Sequence, residues 1–308
     1  MSPKKYVVLA KIEVTQFTDP VPTASANAIL CKNLTYTPLR VESEDRAIQR
    51  PYFGNSEQLP ILEEAVVEFD VEMAGSGAAG TAPKWGPLVR ACAFAEVIVA
   101  STSVTYNPVS SALESITLYI NRDGRRGKLL GAMGNVTVNM SAKKIPELHF
   151  RFVGRYDPIS DSALPTTPDY TGFQTPKASI PAWTGTLTLN SIAIKTSAVS
   201  VDMANEVSHA LWMNLDTLDI TDRKPKGSIS MRAEAIATID PFTLVRNATL
   251  VPFTLTHGTV AGNIVTIAAP KVQLVDHAEE TFENTMVDRF NTTLNPDTGN
   301  DEFTIACT

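Results

Sequence analysis

The sequence predicts a mainly β protein built from two tandem β-sandwich or small-barrel domains, each with one flanking α-helix. Three observations predict it. Short runs of alternating apolar and polar residues recur along the chain, a proline-rich stretch divides it near the middle, and the second half weakly repeats the first. With 308 residues, 44% of them hydrophobic and 19% charged, each half holds enough apolar material to bury a core.

Alternation marks strands at Val66–Met73, Ile116–Ile120, Val136–Met140 and Leu148–Val153, and again at Leu187–Ile194, Ile229–Ile236 and Phe303–Ala306. Asp123-Gly124 predicts a hairpin turn after Ile120, because both residue types tolerate the positive φ of tight turns. Each half has one predicted helix, at Pro87–Ala95 and Pro241–Val251. Proline suits the first turn of each, where its missing N–H would be unpaired anyway. Residues 157–184 carry Pro158, Pro165, Pro168, Pro176 and Pro181, which deny strands and helices their donors and predict an extended linker. The expected organisation is an N-terminal arm or extra strand over 1–27, a first domain over 28–156, the linker, and a second domain over 185–308.

Four matches in chain order support the repeat. Leu88–Phe94 aligns with Leu244–Leu250 at a separation of 156 residues, each after a proline turn. Val67–Glu72 aligns with Gly227–Arg232 at 160, Glu147–Phe152 with Glu302–Cys307 at 155, and Leu34 and Tyr36 with Ile192 and Ile194 at 158.

Charge and motifs exclude several function classes. A formal net charge of −7 argues against a protein that grips nucleic acid by its phosphates, which concentrates Lys and Arg. The apolar stretch after Lys4 and Lys5 is broken by Lys11 and Glu13, so neither a signal peptide nor a membrane anchor is expected. Cys31, Cys92 and Cys307 lie far apart and are odd in number, as expected of reduced, buried thiols. No two of His149, His209, His257 and His277 stand at metal-ligand spacing, so no metal or other cofactor is expected. Gly124–Lys128 has the wrong spacing for a phosphate loop, and no nucleophile elbow, dinucleotide fingerprint or zincin motif occurs. Carboxylate clusters at Glu42-Ser-Glu44-Asp45 and Glu63-Glu64 have no base or nucleophile beside them and read as solvated faces. No residue can be named for catalysis, and an enzyme is not expected.

The segments Leu130–Met140 and Ile145–Tyr156 resemble a stretch of siphophage major tail tube proteins. There a Gly-Ala-x-Gly turn enters one strand, and an Ile-Pro turn leads to another that ends in Gly-x-Tyr. Val199–Glu206 and Asp222–Gly227 in the second half are similar to the same family. The resemblance covers the chain beyond about residue 28 and finds no counterpart for the first 27 residues. It implies two tail-tube-type domains, a fold shared with type VI secretion tube proteins. Single-domain relatives form six-membered rings, so two domains per chain imply homotrimeric rings of pseudo-sixfold symmetry, stacked into a tube that conducts phage DNA from capsid to host. Implied partners are further copies of the chain, the tape measure protein, the tail terminator and distal tail proteins. DNA would pass without specific binding, no membrane anchor is involved, and the place of assembly would be the host cytoplasm. The alternatives are a secretion-tube or tail-tip component of the same fold, for which single-domain hexamers would be expected, or a carbohydrate-binding sandwich. The latter needs clustered surface aromatics, whereas Trp85, Trp183 and Trp212 are scattered.

Within that reading, Glu68, Asp70 and Glu72 alternate with Val67, Phe69 and Val71 and form a candidate lumen-lining stripe, with an outward, solvent-facing strand as the other possibility. Arg232 interrupts the corresponding stripe of the second half. Asp222, Arg223 and Lys224 are candidates for an inter-subunit loop, with a solvated turn as the alternative.

Overall fold

The apolar run after Lys5 forms β1 (Tyr6–Ile12), whose Val7, Val8, Leu9 and Ala10 are buried on both faces; this accounts for a run without alternation. A computed structural model describes residues 5–308, and the first four residues of the expected N-terminal arm lie outside the described residues. After β1 come a single helical turn, α1 (Ala24–Asn27), then β2 (Ala28–Ile29), β3 (Lys32–Asp45), β4 (Gln58–Glu72) and α2 (Gly86–Arg90). The first half continues with β5 (Phe94–Val99), β6 (Ser103–Pro108), β7 (Ile116–Arg122), β8 (Arg125–Ser141) and β9 (Glu147–Asp161). The second contains β10 (Leu187–Leu189), β11 (Ile192–Ile194), β12 (Thr196–Asp202), β13 (Asn205–Trp212), β14 (Leu215–Arg223) and β15 (Lys226–Arg232). It closes with α3 (Pro241–Arg246), β16 (Leu250–His257), β17 (Val265–Phe282), β18 (Thr285–Asn295) and β19 (Thr304–Cys307).

The chain is mainly β and antiparallel, as the sequence predicts. One scheme of pairings occurs twice. In the first half β2 pairs with β1, β1 with β7, β7 with β8, β8 with β9, β9 with β4 and β4 with β3. In the second, β11, β10, β16, β17, β18, β15 and β12 pair in the same order. In each half the last four strands form one layer, and the earlier ones form the other. Val67, Phe69, Phe150 and Phe152 from the first layer meet Val8, Ala10, Ile116 and Leu118 from the second, with Leu88 of α2 in the same core. Among the described residues no sequence of pairings returns to its start, so neither half closes into a barrel.

Several local expectations change. The helices are shorter than predicted, because Ala93 (φ 65°) and Ala248 (φ 49°) adopt left-handed backbone and turn the chain into β5 and β16. Leu187–Ile194 is two strands, joined by a tight turn in which Asn190 (φ 53°) and Ser191 (φ 62°) both have positive φ. At the predicted hairpin of Asp123-Gly124 only the glycine takes positive φ, at 90°. Residues Gly131–Gly134, expected as a turn, lie within β8 at a bulge. Gly131 has φ 61°, and a Cβ there would stand 2.3 Å from the Phe17 ring. Residues 157–161 of the expected linker continue β9, and the remainder is laid against the body through Leu164, Tyr170 and Phe173.

Two of the four internal matches also fail as structural counterparts. β4 and β15 correspond as aligned, at 160 residues, and so do the helices. But Phe69 pairs with Phe150 just as Ile229 pairs with Phe290, which makes β18, not β19, the counterpart of β9. Likewise Thr35 sits opposite Glu68 as Ser200 sits opposite Ser228, so β12, not β11, corresponds to β3. The separation drops from 160 residues to 140 because the first half carries an extra hairpin, β5–β6, which pairs with β19.

Candidate functional site

The two halves join edge to edge. β12 of the second half runs antiparallel to the end of β8, with Val201 opposite Val138 and Ser200 opposite Asn139. One continuous layer results, in the order β3-β4-β9-β8-β12-β15-β18-β17. Side chains lock the junction. Asp202 accepts from Asn135 Nδ2 at 2.6 Å and from Thr137 Oγ1 at 3.1 Å, while Asn205 Nδ2 donates to the carbonyls of Cys92 and Gly134, both at 2.9 Å. These bonds satisfy the Cys92 and Gly134 carbonyls where the strands change halves, whereas Asn205 Oδ1 is buried without a partner among the described residues. No pattern in the sequence singles out Asn135, Asp202 or Asn205 for such a junction, although all three lie in the segments that carry the resemblance.

One face of this layer is apolar and buried. The other is polar, because alternation puts Glu68, Asp70 and Glu72 opposite in direction to Val67, Phe69 and Val71. The three carboxylates therefore share a face, but each has a basic partner on a neighbouring strand. Glu68 accepts from Arg151 Nε at 3.0 Å, Asp70 lies 2.7 Å from His149 Nδ1, and Glu72 lies 3.5 Å from Lys32 Nζ. Lys32 also reaches Glu147 at 2.5 Å; burial opposes its charge, but the two glutamates outweigh this and hold its pKa above the ordinary lysine range. Farther along, Arg289 donates to Glu280 at 3.1 Å. The face is a mosaic of mostly paired charges with Ser200, Ser228 and Ser230 between them, and Arg232, exposed on the same face, makes no ion pair among the described residues.

A family model described as phage tail tube protein matches residues 5–302. The chain belongs to that family. It is a structural subunit of a phage tail tube, a component of the virion tail that assembles with itself and other tail proteins. The match includes residues 5–27, which the sequence resemblance left without a counterpart. Among curated proteins no relative matches the chain.

In this tail tube subunit the turn of Asp222, Arg223 and Lys224 is split. Arg223 points inward, donating to the Val109 carbonyl at 2.6 Å and to Glu302 at 3.1 Å, and so ties the second half to the loop after β6. Asp222 and Lys224 stay exposed and pair at 2.9 Å. Cys92 and Cys307 are buried and Cys31 half-buried; burial pushes the Cys31 and Cys307 thiols up to about 12, leaving them protonated and poor nucleophiles. Among the described residues no group of three or more His, Cys, Asp or Glu is placed to hold a metal ion, and no helix is long and apolar enough to cross a membrane.

Proposed function

We propose that three copies of this chain close into a ring, each contributing two tube domains joined across the 157–184 linker, and that stacked rings conduct phage DNA along their polar inner face. The observation that carries this reading is the internal β8–β12 junction. Its counterparts at the ends of the layer are the edge of β17 beyond Gln273 that faces away from β18 and the edge of β3 that faces away from β4, and neither has a strand partner among the described residues. An open strand edge is an adhesive template, and a closed ring removes it. Carrying the internal register over places Thr35 of one copy opposite Glu280 of the next and Thr37 opposite Ala278. Eight strands per chain and three chains then give a wall of 24 strands with no free edge.

The polar face suits passage of DNA. Each exposed cation that meets a phosphate adds a salt-sensitive attraction, and such contacts summed along the tube would hold the DNA back. On this face Arg151, His149 and Lys32 are already engaged by carboxylates. The chain works as a scaffold and catalyses no reaction. Its partners are its own copies and the tape measure, tail terminator and distal tail proteins, and assembly takes place in the host cytoplasm. Native mass spectrometry with negative-stain imaging of the purified protein tests this reading: three-chain rings are expected, and rings of six chains, or a monomer at every concentration, would refute it.

A further inference from the structure

Where the linker reaches the second half, one histidine holds it there. His257, the last residue of β16, is buried, and both of its ring nitrogens bond to the linker. Nε2 lies 3.1 Å from the Lys177 carbonyl oxygen, and Nδ1 lies 3.2 Å from Thr184 Oγ1. A carbonyl can only accept, so Nε2 carries the proton and Nδ1 is left to accept from the Thr184 hydroxyl. A ring held in this way is neutral. Backbone bonds flank it: Gly258 N donates to the Trp183 carbonyl at 2.7 Å and Gly185 N to the Thr256 carbonyl at 2.8 Å.

The surroundings oppose a charge on this ring. A cavity of about 300 Å³ beside it is lined by Met73 and Ala74 just past β4, by the linker and by the turn after β16. Lys177 is the one charged residue of that lining, and its ammonium sits over the Trp183 ring, 4.7 Å from the ring centre. Val265 stands opposite His257 on β17, and Cys307, next along that row on β19, is a protonated thiol. Burial holds the pKa of His257 below the ordinary histidine value, against an opposite pull from the Lys177 carbonyl. His149, His209 and His277 differ, since each has a carboxylate partner, in Asp70, Asp216 and Asp288 respectively.

We propose that His257 is an acid-sensitive clasp, which holds the linker on the second half while its ring is neutral and releases it when the ring takes up a proton. Because folding disfavours the protonated ring, the clasp has its full strength above a pH of about 6.5 and weakens as pH falls below that value. Release is confined to the second-half side. The anchors on the first half, Ser179 N to the Lys144 carbonyl at 2.8 Å and Lys143 N to the Ser179 carbonyl at 2.9 Å, contain no group that titrates. The clasp acts within a single copy and does not depend on the ring reading.

Hydrogen exchange of the purified full chain tests it, with each amide's rate corrected for its intrinsic dependence on pH. Between about pH 7.5 and about pH 5, protection of the Gly185 and Gly258 amides should fall about tenfold or more, while amides of β4 and β9 keep theirs. His257→Gln should abolish that fall, because a glutamine amide can donate to Lys177 and accept from Thr184 without titrating. In the wild type, an NMR titration should place the His257 ring below the ordinary value of about 6.5, a readout that stands even where the variant does not fold. The proposal is overturned if Gly185 and Gly258 stay protected at the lower pH, if β4 and β9 lose protection with them, if the fall persists in His257→Gln, or if the ring titrates at or above the ordinary value.

Discussion

Leu88 opens one matched segment, Leu88–Phe94, and Leu250 closes the other, Leu244–Leu250, and the apolar residues at these segment ends predict that both face a core. Leu88 is fully buried in α2, whereas Leu250 opens β16 at 44% exposure, because left-handed Ala248 swings the chain outward before it. Leu88→Ala should therefore cost about 2–5 kcal/mol in denaturant unfolding, through lost transfer energy and a cavity. Leu250→Ala should stay within about 0.5 kcal/mol, as an exposed side chain leaves no cavity. Equal losses would show that the two positions are packed alike. Glu13 carries the opposite lesson. In the sequence it serves only to interrupt an apolar run. In the structure it is buried and accepts from Ser115 Oγ at 2.7 Å, Gly131 N at 2.8 Å, Phe17 N at 2.9 Å and Thr117 Oγ1. No local pattern announces such a carboxylate, since its donors lie as far as 118 residues away. Glu13→Ala would strand several buried donors and should cost about 3 kcal/mol or more, measured the same way.

Strands with one buried face were readable because alternation has no other common cause; β4 and β9 lie where the pattern placed them, and β15 takes only the start of the predicted Ile229–Ile236 run, ending at Arg232. Segments governed by left-handed backbone were not. Nothing in Ala93 or Ala248 favours positive φ, so neither helix end could be foreseen, and the Asn190-Ser191 turn was absorbed into one apparent strand. The candidate stripe on β4 was half legible: strand period gave the shared face of Glu68, Asp70 and Glu72, but their partners Arg151, His149 and Lys32 come from β9 and β3 and depend on register. The stripe is thus a wall of paired charges in which carboxylates are in excess. Replacing all three carboxylates by Lys should leave tubes able to form, since the apolar face is untouched, while reversing that balance. DNA release from reconstituted virions should slow, most at low salt, where phosphate attraction is strongest. Unchanged release kinetics at low salt would place this face away from the DNA path.

At the scale of the whole molecule, the internal repeat survives with altered correspondences. The true counterparts are separated by 160 residues at β4 and β15 and by 140 at β9 and β18, a change that local matching could not follow across the inserted β5–β6 hairpin. Once the strands are paired correctly, the chain reads as two units of a larger ring with one junction formed and its equivalents waiting at β3 and β17. A single copy leaves those edges open, and the proposed ring of three copies would satisfy them. A reconstruction of the assembled tube at side-chain resolution tests this most directly. The account predicts three chains per ring, β3 antiparallel to β17 of the next copy with Thr35 opposite Glu280, and Glu68, Asp70 and Glu72 facing the channel. A ring in which β3 or β17 remains unpaired, or in which those carboxylates face the outer surface, would contradict it.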